Sequence, residues 1–181
     1  MLAGGPWHIV SADDDFLGPE YELIARLRRA LIKYALGGTY SAEFVATLMQ
    51  TAVVHLRDRI LAAPPGLPVL VDSYYYKILA KCHLVGLTDH PMLDWWRSFP
   101  QPTRVLYLEV SPETAWRRSG ARVNGLEHYG EQADWPGFEA FQRDLDKLLL
   151  DEVHDLPVTV IPERHGITRM VGAIRKVLTR A

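Results

Sequence analysis

The chain has 181 residues, 48% of them hydrophobic, and a formal charge of -2 from 20 basic and 22 acidic side chains. That length supports one domain with a single sizeable core, and the near balance of charge excludes the broad basic field that favours nucleic-acid polymers or anionic membranes. The lone Cys82 excludes an intrachain disulfide and a multi-cysteine zinc site, and no apolar run approaches the roughly 18 residues of a membrane span, so a cytoplasmic protein is expected.

Short apolar runs alternate with longer helical patterns, which predicts an α/β fold without repeats or linkers. Residues 7–11 read as the first strand, and Asp13, Asp14 and Asp15 follow at its carboxyl end, where open α/β sheets bind ligands. A carboxylate there can orient a hydroxyl and accept its proton, although an Asp run also solvates a loop and caps a helix. Helices are predicted over 19–36 and 41–62, stopped by Gly37-Gly38 and Pro64-Pro65-Gly66, with Arg57 and Arg59 on a solvated face.

Residues 67–72 read as the second strand, followed by helices over 74–85, ended by Gly86, and 91–99. The third strand, 105–110, runs into a helix over 112–118, which Ser111 can cap, Pro112 can open and Glu113 favours at its positive end. Gly120, Gly125 and Gly130 then bracket Arg122, Glu127, His128 and Tyr129, a spacing that lets a loop open and close. A helix over 136–154 carries the stripe Phe138, Phe141, Leu145, Leu148, Leu149 and Val153, then come a strand over 157–161 and a helix over 167–180. No strand alternates strictly with polar residues, so all four read as parallel and covered on both faces. His128, His154 and His165 lack metal-ligand spacing, and no transition-metal site is expected.

Two landmarks carry chemistry. Leu106 to Arg118, with Arg122 close behind, leads a strand and a capped helix into three guanidinium groups, whose planar forks match phosphate oxygens. Val69-Leu70-Val71-Asp72-Ser73-Tyr74-Tyr75-Tyr76-Lys77 is a buried-strand pattern ending in an acid. On these runs, and on Met49-Gln50-Thr51 with His55, the chain resembles the thymidylate kinase and deoxynucleoside kinase branch of P-loop kinases over most of its length.

The resemblance implies a single three-layer α/β/α domain over 1–181 with a lid near 117–135, using ATP and Mg2+ to phosphorylate a nucleoside or nucleoside monophosphate. It implies Asp13 and Asp72 at the acceptor, Arg117, Arg118 and Arg122 at the phosphates, and Gln50, His55, Tyr74 and Lys77 at the substrate, with magnesium near Asp72. Plainer readings stand beside these. Gln50 suits the wet side of a helix, the arginines complement a helix end, and the tyrosines pack between helix and sheet.

The chain departs from the family where arginine is expected. Ser11-Ala12-Asp13-Asp14 replaces an Arg-Glu-Pro motif, and Ser73 stands where Asp72 would be followed by arginine. The acceptor therefore stays open, and a kinase for another small hydroxylated metabolite is a further alternative. Relatives commonly dimerise through helices flanking the sheet, so a homodimer is among the implied assemblies.

No G-x-x-x-x-G-K-[ST] loop occurs in the chain. In the family that loop follows the first strand, which occupies the middle of a five-stranded sheet, so the central strand and phosphate loop are expected to be missing here. Two unpaired edges inside a monomer would be costly, at about 1–3 kcal/mol for each buried unpaired group. A start farther upstream or a trimmed chain is the expectation, ahead of another element or subunit filling the gap. The rival from a different class is a noncatalytic nucleotide-binding or regulatory relative.

Overall fold

Among the described residues four short parallel strands form two sheets instead of one. The computed structural model describes residues 7–31, 33, 39–120, 123 and 127–179. β1 (His8–Ser11) pairs with β2 (Val69–Asp72), with His8 opposite Val69 and Ser11 opposite Asp72. β3 (Val105–Leu108) pairs with β4 (Val158–Ile161), with Val105 opposite Val158 and Leu108 opposite Ile161.

In a parallel pair only alternate residues bond the neighbouring strand. The His8 N–H donates to the Pro68 carbonyl at 2.9 Å, so His8 and Val10 face β2 while Ile9 and Ser11 turn their backbone groups outward. Val105 and Glu109 donate to the Pro157 and Ile161 carbonyls at 2.9 and 3.0 Å. By the same alternation Val69 and Val71 of β2, and Leu106 and Leu108 of β3, point their N–H and C=O groups away from their partner strands. Among the described residues those groups have no backbone partner.

Coverage of both faces, expected for every strand, is not found. Asp72 is exposed, as are Leu108 at 43% and Val160 at 51%, whereas Val10 and Ser11 of β1 are fully buried. A two-stranded sheet has too few neighbours to enclose its own side chains, and β1 has the helix α2 (Ala42–Leu61) closely applied to it.

The core lies between that sheet and the helices. Ser41 caps α2 through its hydroxyl, which accepts from the Phe44 N–H at 3.2 Å. Val53 and Leu56 of α2 pack with Leu79 and Cys82 of α3 (Tyr76–Leu84) and with Leu93 and Trp96 of α4 (Pro91–Arg97). Val71, Val105 and Val158 lean on the same cluster, so both sheets share one core. Each fully buried aliphatic side chain there contributes about 1.5–3 kcal/mol.

Preceding these, a 3-10 turn at Pro19–Tyr21 runs directly into α1 (Glu22–Ala30), within the single helix expected over 19–36. Residues 34–38 lie outside the described residues, including the Gly37-Gly38 stop. α3 starts two residues later than expected, because Tyr74 and Tyr75 form the turn out of β2. Gly86 follows it at φ 80°, a left-handed conformation that glycine adopts without a Cβ penalty.

α5 (Pro112–Ser119) begins at a Ser111 cap and ends at Gly120, φ 60°. α6 (Trp135–Glu152) begins at an Asp134 cap and buries Phe138, Phe141 and Leu145, the last two against Ala80 of α3. α7 (Ile167–Leu178) places Ile167, Met170, Val171, Ile174, Val177 and Leu178 on one stripe, yet none of its residues is buried and Ile167 is 81% exposed. Among the described residues no helix is long and apolar enough to cross a membrane.

Candidate functional site

The carboxyl ends of the strands gather most of the charged side chains predicted to act. At the end of β1 the buried Ser11 hydroxyl accepts from the Asp13 N–H at 3.1 Å and fixes the turn. Asp13 does not stand free, because its carboxylate is ion-paired with the Arg28 guanidinium of α1, which also donates to the Ala12 carbonyl at 2.7 Å. The guanidinium therefore binds both the backbone and the acid of one short loop. Pairing fixes the direction of the Asp13 carboxylate.

Arg59 reaches β1 from α2. It donates to the outward carbonyls of Ile9 and Ser11 at 3.4 Å each and lies 5.0 Å over the Tyr21 ring. The same ring meets His55 edge-on at 4.8 Å, one helical turn before Arg59. Burial, reinforced by the Arg59 charge and opposed by Asp58, holds His55 below the usual histidine range, so the ring is neutral at pH 7. Its Nε2 atom is buried without a hydrogen-bond partner among the described residues. The solvated face expected for Arg57 and Arg59 is thus corrected: Arg57 packs 4.7 Å from the Phe99 ring and 5.6 Å from the Trp95 ring. Both guanidiniums are drawn off the surface by aromatic faces, an attraction that helix periodicity alone does not reveal.

Asp72, in register with Ser11, is exposed at the tip of β2 and has no hydrogen-bond or ion-pair partner among the described residues. Ser73, where the family carries arginine, is exposed beside it, and the peptide bond joining them is cis. Tyr74 is buried, with a hydroxyl that has no partner among the described residues and that burial pushes up to about 12. Tyr75 and Tyr76 are packing residues: both hydroxyls meet Gln101 Oε1, at 3.2 and 2.5 Å, ahead of β3.

Lys77 is exposed, and the more enclosed lysine is Lys81, one turn on. Burial, with repulsion from Lys77 and an opposing pull from Glu127, lowers Lys81 to about 8. Gln50 is half-buried in the middle of α2, and its side-chain amide has no hydrogen-bond partner among the described residues.

On the other sheet, Arg117 and Arg118 occupy the last turn of α5 and are exposed. Arg117 donates to the Thr114 hydroxyl at 3.3 Å, and Arg118 lies 3.9 Å from Glu163, just beyond β4. Arg122 and Gly125 lie outside the described residues. Asp13 and Asp72 therefore sit at the carboxyl ends of neighbouring strands, and Arg117 and Arg118 at the same end of the second pair.

Glu163, Arg28, Tyr21 and Lys81 were not singled out from sequence, and Arg59 was read as a solvated residue. For Glu163 a signal existed, since Ile161-Pro162-Glu163 places an acid past a strand end. Arg59 follows His55 by four residues, and that helical spacing was the available clue.

A cavity of about 570 Å³ opens instead at the amino ends of β3 and β4, lined by Tyr75, Tyr76, His83, Arg97, Gln101 and Glu152 among others. Its main polar groups already serve one another: Arg97 donates to Glu152 at 2.8 Å and the tyrosines to Gln101. Asp151 and Asp155 also line it, and none of its acids is among those singled out from the sequence. Among the described residues no group of three or more His, Cys, Asp or Glu side chains could hold a metal ion. Compared with known proteins, the chain matches no family model and no curated protein.

Proposed function

We propose that this chain is a P-loop-type kinase that transfers phosphate from ATP to a nucleoside or nucleoside monophosphate. The observation that supports this reading most is the pair of acids at the carboxyl ends of adjacent parallel strands, Asp13 in the turn after β1 and held by Arg28, and the Asp72 carboxylate without a partner among the described residues. In this reading Asp72 orients the acceptor hydroxyl and takes its proton, while Asp13 hydrogen-bonds the sugar. Arg117 and Arg118 offset charge on the transferring phosphoryl group, and Gln50 and His55 line the base side.

Magnesium would supply charge neutralisation at the phosphates. A single free carboxylate at a strand tip suits an ion held through waters and substrate phosphates, whereas a full protein cage would need more ligands. This chain's residues build no phosphate-binding loop for ATP. The proposal therefore includes one extended segment that bonds the free edges of β2 and β3, joins the two sheets and carries that loop. The unpaired backbone groups of Val69, Val71, Leu106 and Leu108 support it.

The test is to incubate the natively expressed protein with Mg-ATP and a panel of nucleosides and nucleoside monophosphates, following products by mass spectrometry and binding by calorimetry. Asp72→Asn should lower kcat about 100-fold or more while leaving acceptor binding within about threefold. Binding without turnover would favour the noncatalytic relative, a second reading supported by the ion pairing of Asp13. Neither binding nor turnover across the panel would remove the nucleotide reading altogether.

A further inference from the structure

We infer that Glu163 is the positioning residue that holds Arg117 and Arg118 together as a pair at the end of the second sheet. Glu163 Oε2 accepts from the Ser111 N–H and the Ser111 hydroxyl, each at 3.1 Å. That hydroxyl in turn accepts from the Thr114 N–H at 3.3 Å, so the carboxylate fixes the cap of α5 and the cap fixes its first turn. Buried Thr114 then receives Arg117 at 3.3 Å. The other carboxylate oxygen, Oε1, faces Arg118 at 3.9 Å, an ion pair beyond hydrogen-bond distance that leaves guanidinium donors for an incoming oxyanion.

One carboxylate thus reaches both arginines, one through Thr114 and one by charge, from a loop on a different strand. The Thr114 hydroxyl, the Ser111 groups and Arg118 together hold the Glu163 carboxyl below its usual range, so it is ionised at neutral pH. A plain helix cap explains the Ser111 bonds. It does not require the second oxygen to face Arg118.

The role in turnover rests on the phosphotransfer reading, but the position of the arginines does not, and the experiment separates them. The reagent is phenylglyoxal, which modifies guanidinium groups, with each site mapped by mass spectrometry on the folded chain. Glu163→Gln keeps an oxygen for Ser111 but removes the charge facing Arg118, and should raise the labelling rate of Arg118 several-fold. Glu163→Asp should restore the slow rate in part.

In the active protein Glu163→Gln should lower kcat roughly tenfold or more with KM little changed, the pattern of a displaced phosphate-facing group. Unchanged Arg118 labelling in Glu163→Gln overturns the inference, even if Glu163→Ala fails to fold. Faster labelling in a protein that turns over no acceptor would support the inference and count against the kinase reading alone.

Discussion

The outer edge of β1 and the second edges of β2 and β3 present the same backbone chemistry and are treated in opposite ways. The carbonyls of Ile9 and Ser11 are met by the Arg59 guanidinium, which is itself braced by Tyr21, and the Val10 and Ser11 side chains beside them are fully buried. Val69, Val71, Leu106 and Leu108 point equivalent groups where the described residues offer nothing, and Leu108 stays 43% exposed. Proteins usually blunt a permanent edge with charge or cover, as β1 does. Bare edges on apolar strands suit a partner strand, and the bare edges of β2 and β3 belong to parallel pairs that share one core.

The largest expected effect is in amide exchange. In the 181-residue chain the ladder amides of Val10, Leu70 and Tyr107 should exchange at least about 1,000-fold more slowly than those of Val69, Val71, Leu106 and Leu108, since only the first set is tied to global unfolding. Two-dimensional NMR after transfer to D2O reads each amide separately. Equal protection in both sets would mean that the second edges already have a partner, and the contrast with β1 would disappear.

A smaller effect is expected at the covered edge. Arg59→Met keeps much of the side-chain length over Tyr21 but removes both donors to β1 and the cation over the ring, and should destabilise the fold by about 1–2 kcal/mol in urea unfolding. Relief of the Arg59 charge should also raise the His55 pKa, which proton NMR of the ring follows. Unchanged stability with an unchanged His55 titration would show that Arg59 is a surface residue and that β1 is protected in some other way.

Alternation of apolar runs and helical stripes was enough to locate all four strands and every helix core within a few residues, because hydrophobic periodicity is local. Sheet membership was not legible. Which strands touch depends on backbone edges that no side-chain pattern encodes, and the two separate pairs emerge only from β1 meeting β2 and β3 meeting β4. The same division holds for the site. Asp13 and Asp72 could be placed from their position after a strand, whereas the Asp13–Arg28 and Glu163–Ser111 contacts join residues far enough apart in sequence that neither spacing nor composition signals them.

The least perturbing test concerns α3, which follows β2 and packs on α6, and so touches both halves. Lys81 has a folded-state pKa of about 8, below the usual lysine value of about 10.4, so between these the unfolded chain binds more protons than the folded one. Stability should therefore rise as pH increases from about 8 toward 10, the opposite of the direction expected from Tyr76 and Tyr107, whose raised pKa values make them lose stability only above about 10. Lys81→Met should abolish the rise between pH 8 and 10 in urea midpoints while leaving the decline at higher pH. A slope that survives the substitution would place the titrating group elsewhere and leave Lys81 exposed to water, with α3 less tightly enclosed between the halves than its packing on α6 implies.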